Sequence, residues 1–257
     1  MRYRIFDPTG NITALVEEPV DVSQQPTVAA AIMQKHSNVE QVGFVSLDGD
    51  LPALRMAGGE FCGNASMSAA ALIAIERNRS LPATVQLRVS GAPEAVAVRL
   101  EQREGETFRA AVRMPTARSI QKQTFTFADV TEDLTVVQMD GISHILIEQE
   151  SLCFSLLTDH AAAESAVRQW CSELGADGLG FMFLSGDALT PLVFVPGCDT
   201  VFWETSCASG TAAVGMALAA QTGAKMDRIF TEPGGSLRVE SNPETGETWL
   251  HGSTKQI

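Results

Sequence analysis

Two cysteines begin two similar stretches of the sequence, and they are the side chains best placed to do acid–base chemistry. Cys62 is followed by small and polar residues and then by the nearly apolar run 65–75; Cys207 is followed in the same way by the run 211–220. A helix that is apolar on all sides must be buried on all sides. The sequence therefore predicts two core helices, each with a cysteine at its N-terminus.

This position has chemical consequences for a thiol. The unpaired N–H groups and the positive end of the helix dipole favour an anion, so we expect a lowered thiol pKa and a place to hold a carboxylate. A single cysteine is most often an ordinary buried residue, but duplication of the whole context favours a functional pair. One thiolate facing one thiol would form a base and an acid.

Composition and charge limit the classes of function. The chain has 257 residues, enough for one large or two ordinary domains, with a net charge of −13 and a pI near 4.7. Such acidity argues against nucleic acid or an anionic membrane surface as a partner. The first residues lack the apolar run of a secretory signal, and no apolar run is long enough for a membrane span. We expect a cytoplasmic protein.

The remaining potential ligands show no metal or cofactor pattern. Five cysteines occur without a Cys-x-x-Cys pair, so neither a disulfide framework nor a metal site is expected, and reduced thiols are the default. Cys153, Cys171 and Cys198 are assigned structural roles. His36, His160 and His251 are expected on surfaces or helix faces. No lysine lies in a motif suited to a Schiff base and no phosphate-binding loop is present, so no cofactor is predicted.

Periodicity and turn residues predict the order of elements in the first half. A hairpin turns at 7–10, and Pro26 opens a helix. Polar residues 118–123 suggest a crossover to the second half. Strands are predicted at 41–47, 53–56, 85–89, 95–100 and 109–114.

The second half repeats the first. Residues 10–17 match 141–148 in pattern, and 43–47 match 180–184, with a helix over 159–174 between these two segments of the second half. We therefore predict two halves, 1–117 carrying Cys62 and 118–257 carrying Cys207, with residues 250–257 packing back onto the first. The two cysteine helices would be related by an approximate twofold axis, with a ligand cleft between the halves.

The two cysteine motifs and the duplication resemble the cofactor-independent amino-acid racemases and epimerases of the diaminopimelate epimerase fold. The resemblance extends to Gly10-Asn11 and to the strand that begins Gln41-Val42-Gly43. It implies an α+β fold of two pseudo-symmetric domains, each a curved sheet around a central buried helix. It also implies that Cys62 and Cys207 are the acid–base residues, and that a homodimer, common in the family, is an assembly to consider.

Carried over by position, the resemblance gives a set of substrate-binding residues. Helix-end N–H groups would hold the carboxylate of a small amino-acid substrate, and side chains would contact its other groups. The set comprises Asn11, Gly63, Asn64, His144, Glu204, Ala208, Ser209, Gly210 and Thr211.

Differences between this sequence and the motifs of diaminopimelate epimerases indicate which substrate the protein would accept. Diaminopimelate epimerases carry a Glu-Arg pair where this chain has Asp199 and Thr200, and without the arginine a second substrate carboxylate would be poorly received. Glu204 fits an amino group or a side-chain N–H instead, although a solvated carboxylate is an equally ordinary interpretation. The stretch Trp203-Glu204-Thr205-Ser206-Cys207 is most similar to the histidine racemase branch.

Other functions stay open at this point. A protein of this fold could be another amino-acid epimerase, or an isomerase that shifts a proton in an unsaturated organic acid. Outside enzymes, Cys62 and Cys207 could form a reversible disulfide in a redox sensor or a ligand-binding protein. Screening of substrates separates the organic-acid isomerase from an amino-acid racemase or epimerase.

Overall fold

The computed structural model describes all 257 residues, and it contains sixteen strands and four α-helices in one α+β fold. The strands of the first half are β1 (Tyr3–Asp7), β2 (Thr13–Val16), β3 (Gln41–Ser46), β4 (Ala53–Met56), β5 (Ala83–Val89), β6 (Val96–Glu104) and β7 (Thr107–Arg113). Those of the second half are β8 (Ser119–Phe127), β9 (Val130–Gln138), β10 (Ser143–Glu148), β11 (Leu179–Ser185), β12 (Ala188–Val195), β13 (Thr200–Trp203), β14 (Met226–Glu232), β15 (Gly235–Asn242) and β16 (Glu247–Gln256). The helices are α1 (Gln25–Lys35), α2 (Gly63–Glu76), α3 (His160–Leu174) and α4 (Ala208–Thr222).

The strands form one continuous sheet that curves around α2 and α4. Strands β1 to β7 pair in sequence order, and β16 then pairs with β7 and, at its end, with β1. These eight strands therefore close a ring around α2. On its other edge β16 pairs with β15, which starts the part of the sheet that curves around α4.

The pairing pattern of the second half repeats that of the first. Strands β2 and β3 pair in parallel across α1, as β10 and β11 do across α3. Strands β4 and β5 pair in parallel across α2, as β12 and β14 do across α4. The predicted α+β class with two similar halves is thus confirmed. The exact division after residue 117 stays a prediction; that position lies between β7 and β8, and β16 pairs along β7.

The helices divide into a central and an outer pair. Nearly every residue of α2 and α4 is buried, as their lack of large polar side chains requires. Helix α3 lies on the outside and buries one face, with Asp159 accepting from the Ala162 N–H at its start and Gly175 in the left-handed conformation at its end. No helix is both long and apolar enough to cross a membrane.

The crossover predicted for residues 118–123 is wrong. Residues 119–123 belong to β8, which forms a hairpin with β9. The cause of the error is exposure: β8 lies at the edge of the sheet, and Phe125 is its one buried side chain. A strand without a buried face has no alternating apolar pattern.

Candidate active site

The N-termini of α2 and α4 meet at the centre of the molecule. Cys62 and Cys207 are the N-cap residues of these helices, and both have extended backbones. Gly63 makes the contact possible, because a Cβ at this position would lie 2.9 Å from the Cβ of Ala208. The prediction that two buried helices each begin at a cysteine is therefore confirmed.

Both cysteines line one cleft between the halves, which we call the cysteine cleft. Its volume is about 340 Å³. Its walls are Asn11, Gln41, Glu60, Phe61, Cys62, Asn64, Ile142, Val193, Val195, Glu204, Cys207, Ala208 and Ser209. A ligand in this cleft would therefore touch both thiols.

The Cys62 thiol is fixed by two hydrogen bonds. Its Sγ accepts from the N–H of Ala65 at 3.3 Å and donates to Oε1 of Gln41 at 3.3 Å. The Gln41 amide in turn donates to Oδ1 of Asn11 and to Oγ1 of Thr13. The amide of Gln41 is thus oriented so that its oxygen faces the thiol.

The Cys207 thiol has a different set of neighbours. Its Sγ lies 3.6 Å from Oγ of Ser209, and that hydroxyl lies 3.0 Å from Nε2 of His144. The carboxyl of Glu204 lies near the Cys207 thiol, and each of the two groups shifts the pKa of the other. Burial lowers the pKa of His144 to about 3, so this imidazole is neutral.

The expectation of a lowered thiol pKa is wrong for the free protein. Burial raises the pKa of Cys62 to about 12, and the charges of Glu204 and Glu60 act in the same direction. Burial, Glu204 and Glu232 raise the pKa of Cys207 well above its usual value. Desolvation and neighbouring carboxylates therefore outweigh the helix ends, and both thiols are protonated at neutral pH.

Carboxyl groups outnumber basic groups around the cleft. Burial raises the pKa of Glu204 to about 8, and Glu40, Glu232 and Glu60 add to the rise. None of these four side chains forms an ion pair with a lysine or arginine within 4 Å. Arg55 is the one cation whose charge acts on Glu60. A ligand that brings positive charge would favour the ionised forms of these carboxyls and be held by them.

An apolar pocket of about 610 Å³ adjoins the cysteine cleft, and we call it the outer pocket. It shares Gln41, Glu60 and Glu204 with the cleft. Its apolar walls are Pro26, Ala29, Ala30, Met33, Val42 and Ala57 from the first half and Val193, Val195 and Phe202 from the second. A ligand that reached from the thiols into this pocket would pass the carboxyls.

Seven of the residues predicted for the site line the cleft, including the two cysteines. The other predicted residues lie behind the wall or at the helix contact: Gly63, His144, Gly210 and Thr211. His144 reaches the cleft only through Ser209. The hydroxyl of Thr211 lies against the Cys207 carbonyl and the Glu232 carboxyl.

Polar side chains join the two halves beside the cleft. The amide of Asn64 donates to the Ser206 carbonyl at 3.1 Å. Glu40 accepts from Nδ2 of Asn11 at 2.7 Å and from the hydroxyl of Thr205 at 2.8 Å. Both groups of the Asn11 amide thus have partners within the protein, since Gln41 takes its oxygen.

Three residues that shape the site were not predicted from the sequence: Glu40, Gln41 and Glu232. Gln41 belongs to a predicted strand, and its polar side chain at the start of an apolar run is the signal that could have found it. Glu40 and Glu232 carry no such signal, because only the tertiary fold brings Glu40 to Thr205 and Glu232 to Cys207.

The architecture is shared with solved structures that are described as epimerases and racemases. A predicted epimerase from Pseudomonas aeruginosa superposes with a TM-score of 0.70 and 16% identity, over 100% of this chain and 96% of that one. A probable proline racemase from Agrobacterium radiobacter K84 gives a TM-score of 0.70 and 13% identity, over 99% and 90%. At these identities the likeness shows the fold.

Sequence comparison identifies the family. The model of the family described as Histidine racemase CntK N-terminal domain matches residues 1–250, and this chain belongs to that family. A histidine racemase of Fusobacterium nucleatum is 33% identical over 223 residues, which cover 82% of this chain and 78% of the relative. One from Staphylococcus aureus Mu50 is 28% identical over 244 residues, covering 92% and 86%. The predicted resemblance is confirmed.

Proposed function

We propose that this protein racemises free histidine, with Cys62 and Cys207 as the acid–base pair. The observation that carries the proposal is that the two thiols, at the N-termini of two helices in contact, line one cleft. Membership of the histidine racemase family supports the substrate. The proposed steps use no cofactor.

The first requirement is to hold the substrate carboxylate. In the first turns of α2 and α4, the N–H groups of Gly63, Asn64 and 208–210 have no acceptor within the chain. N–H groups at helix N-termini bind carboxylates well. They also stabilise the extra negative charge that reaches the carboxylate when the Cα proton leaves.

The second requirement is to hold positive charge. The ammonium group and the imidazole N–H of histidine would lie near the carboxyls of Glu204 and Glu60, which line both the cleft and the outer pocket. The apolar walls of the outer pocket would receive the ring. Arrival of a cation also offsets the charges that raise the thiol pKa values, so binding favours loss of one thiol proton to solvent and leaves one thiolate.

The proton then moves across the substrate. The thiolate of one cysteine takes the Cα proton, so an S–H bond forms as the C–H bond breaks. The opposite thiol delivers its proton to the other face of Cα and becomes the thiolate. The two cysteines have then exchanged protonation states, which suits the reverse reaction, and proton exchange with solvent restores the first state before another turnover in the same direction.

We further propose that the protein works in the cytoplasm, where its five thiols stay reduced, and that a homodimer is the assembly to test first. Oxidation of the thiols would stop the chemistry, so reductant is needed in every assay.

The test is a panel of amino acids incubated with reduced protein and analysed by chiral chromatography. Formation of D-histidine from L-histidine, and of L-histidine from D-histidine, is the expected result. Turnover of another amino acid alone would correct the substrate and keep the chemistry. No turnover of any amino acid would refute the proposal and direct the search to unsaturated organic acids.

A further inference from the structure

One buried carboxyl has no counterpart in the other half. Strands β5 and β14 follow α2 and α4 and have seven residues each, and they pair in parallel with β4 and β12, respectively. Their last residues are Val89 and Glu232, which are 5% and 4% exposed. Where the first half places an apolar side chain, the second half places a glutamate.

Glu232 lies directly behind Cys207. Its Oε2 accepts from the Cys207 N–H at 2.5 Å, and its Oε1 is hydrogen-bonded to the hydroxyl of Thr211. No carboxyl accepts from the N–H of Cys62. The surroundings of the two thiols are therefore unequal at this point.

The number of protons available to the hydrogen bonds among Cys207, Thr211 and Glu232 decides whether Glu232 is ionised. The Thr211 hydroxyl lies 2.9 Å from the Cys207 carbonyl as well as against Glu232, and neither a carbonyl nor a carboxylate has a proton to share. A hydroxyl donates one hydrogen bond, so an ionised Glu232 would leave one of these two contacts unmade. A protonated Glu232 donates to Thr211, and Thr211 then donates to the carbonyl, so every group is satisfied.

We propose that Glu232 is kept as a neutral carboxylic acid in the working protein and is a positioning residue for Cys207. It holds the N-cap backbone of α4 without placing a negative charge behind the thiol. The benefit of keeping this charge away rests on the proposed two-cysteine reaction. Burial, which raises the pKa of Glu232 to about 8, agrees with the proton count.

The other groups around Cys207 also affect how turnover depends on pH. Glu204 precedes α4, and its charge raises the pKa of the Cys207 thiol. Ser209 lies on α4, with neutral His144 of β10 behind it. Glu232 at the end of β14 is the remaining ionisable group. When Glu232 ionises above about pH 8, its charge opposes thiolate formation at Cys207, so turnover falls.

The direct test is a ¹³C NMR titration of protein labelled at the glutamate side-chain carboxyl carbon. The Glu232 signal is assigned as the one missing from Glu232→Gln or, if the glutamine variant does not fold, from Glu232→Val, which copies the valine of the first half. We expect a titration midpoint near pH 8. A midpoint below pH 6 would overturn the inference. This measurement needs no turnover, so it stands apart from the proposed function.

Activity gives the second readout. Gln matches a neutral Glu in shape, accepts from Cys207 and donates to Thr211, so Glu232→Gln should keep racemisation at pH 7 within about threefold. It should also lose the component of the alkaline decline that Glu232 causes. The control Glu173→Gln, on the exposed face of α3, should match the wild type throughout. A folded Glu232→Gln with more than a hundredfold loss at pH 7 would show that the ionised form is required.

Discussion

The protonation of Glu232 predicts how stability depends on pH. The informative change is Glu232→Gln, which replaces a titrating group by a neutral one of the same shape. The folded protein holds this carboxyl with a pKa of about 8, against an ordinary value of 4.5. Between these values the unfolded chain releases its proton while the folded protein keeps it, so rising pH favours unfolding of the wild type.

The size of the effect follows from this linkage. Below about pH 4.5 both states carry the proton, and above about pH 8 neither does, so the effect is confined to the interval between. Within it the wild type should lose about 1.4 kcal/mol of unfolding free energy per pH unit relative to Glu232→Gln, and about 5 kcal/mol in total. Taking the difference between the two proteins cancels most contributions from other titrating groups.

Urea unfolding of both proteins at half-unit steps from pH 5 to pH 8.5, under reductant, measures this difference. The unfolding free energy of Glu232→Gln minus that of the wild type should increase with pH and level off above about pH 8. Glu173→Gln, in contrast, should run parallel to the wild type. A constant difference between pH 5 and pH 8 would mean that Glu232 is ionised in the folded protein, and the neutral carboxylic acid would have to be abandoned.

Three further predictions concern the cleft. Cys62→Ser and Cys207→Ser should each lower kcat for histidine by about 10²–10⁴-fold while circular dichroism stays unchanged; wild-type kcat in either would exclude that cysteine. Glu204→Gln should lower the preference for histidine over alanine by about 10- to 100-fold, as expected for loss of a charge-assisted hydrogen bond; an unchanged ratio in competition assays would remove Glu204 from recognition. Gly63→Ala should lower the unfolding free energy by about 1–2 kcal/mol, because its methyl group would meet Ala208 at 2.9 Å. Gly178→Ala, where the nearest atoms lie at 3.4 Å or more, is the matched control, and equal losses in both would contradict the close helix contact.

Much of the fold was predictable because its central elements carry strong local signals. The apolar runs behind Cys62 and Cys207 permit only buried helices, and α2 and α4 are indeed buried except near their C-terminal ends. Asp159 and Gly175 marked both ends of α3. Strand β8 was missed because an exposed edge strand leaves no apolar pattern.

The site was predictable where its residues belong to the helix starts and not where it depends on tertiary pairing. The sequence places Thr211 on the first turn of α4, but only the fold turns its hydroxyl towards Glu232. Likewise the side-chain amide of Asn11 is hydrogen-bonded to Glu40 and Gln41, which lie where β3 begins. The thiol pKa values also depend on the tertiary fold, since carboxyls from several elements surround one cleft.

Isotope incorporation during the first few per cent of conversion distinguishes two opposed thiols from a single base. L-Histidine is incubated with reduced protein in D₂O, the enantiomers are separated, and each is analysed for deuterium at Cα by mass spectrometry. Thiol protons exchange rapidly with solvent, so with two opposed thiols the D-histidine formed should carry deuterium while the remaining L-histidine keeps its protium. Deuterium entering the remaining L-histidine as fast as D-histidine forms would mean that one base serves both faces, and would contradict the two-cysteine mechanism.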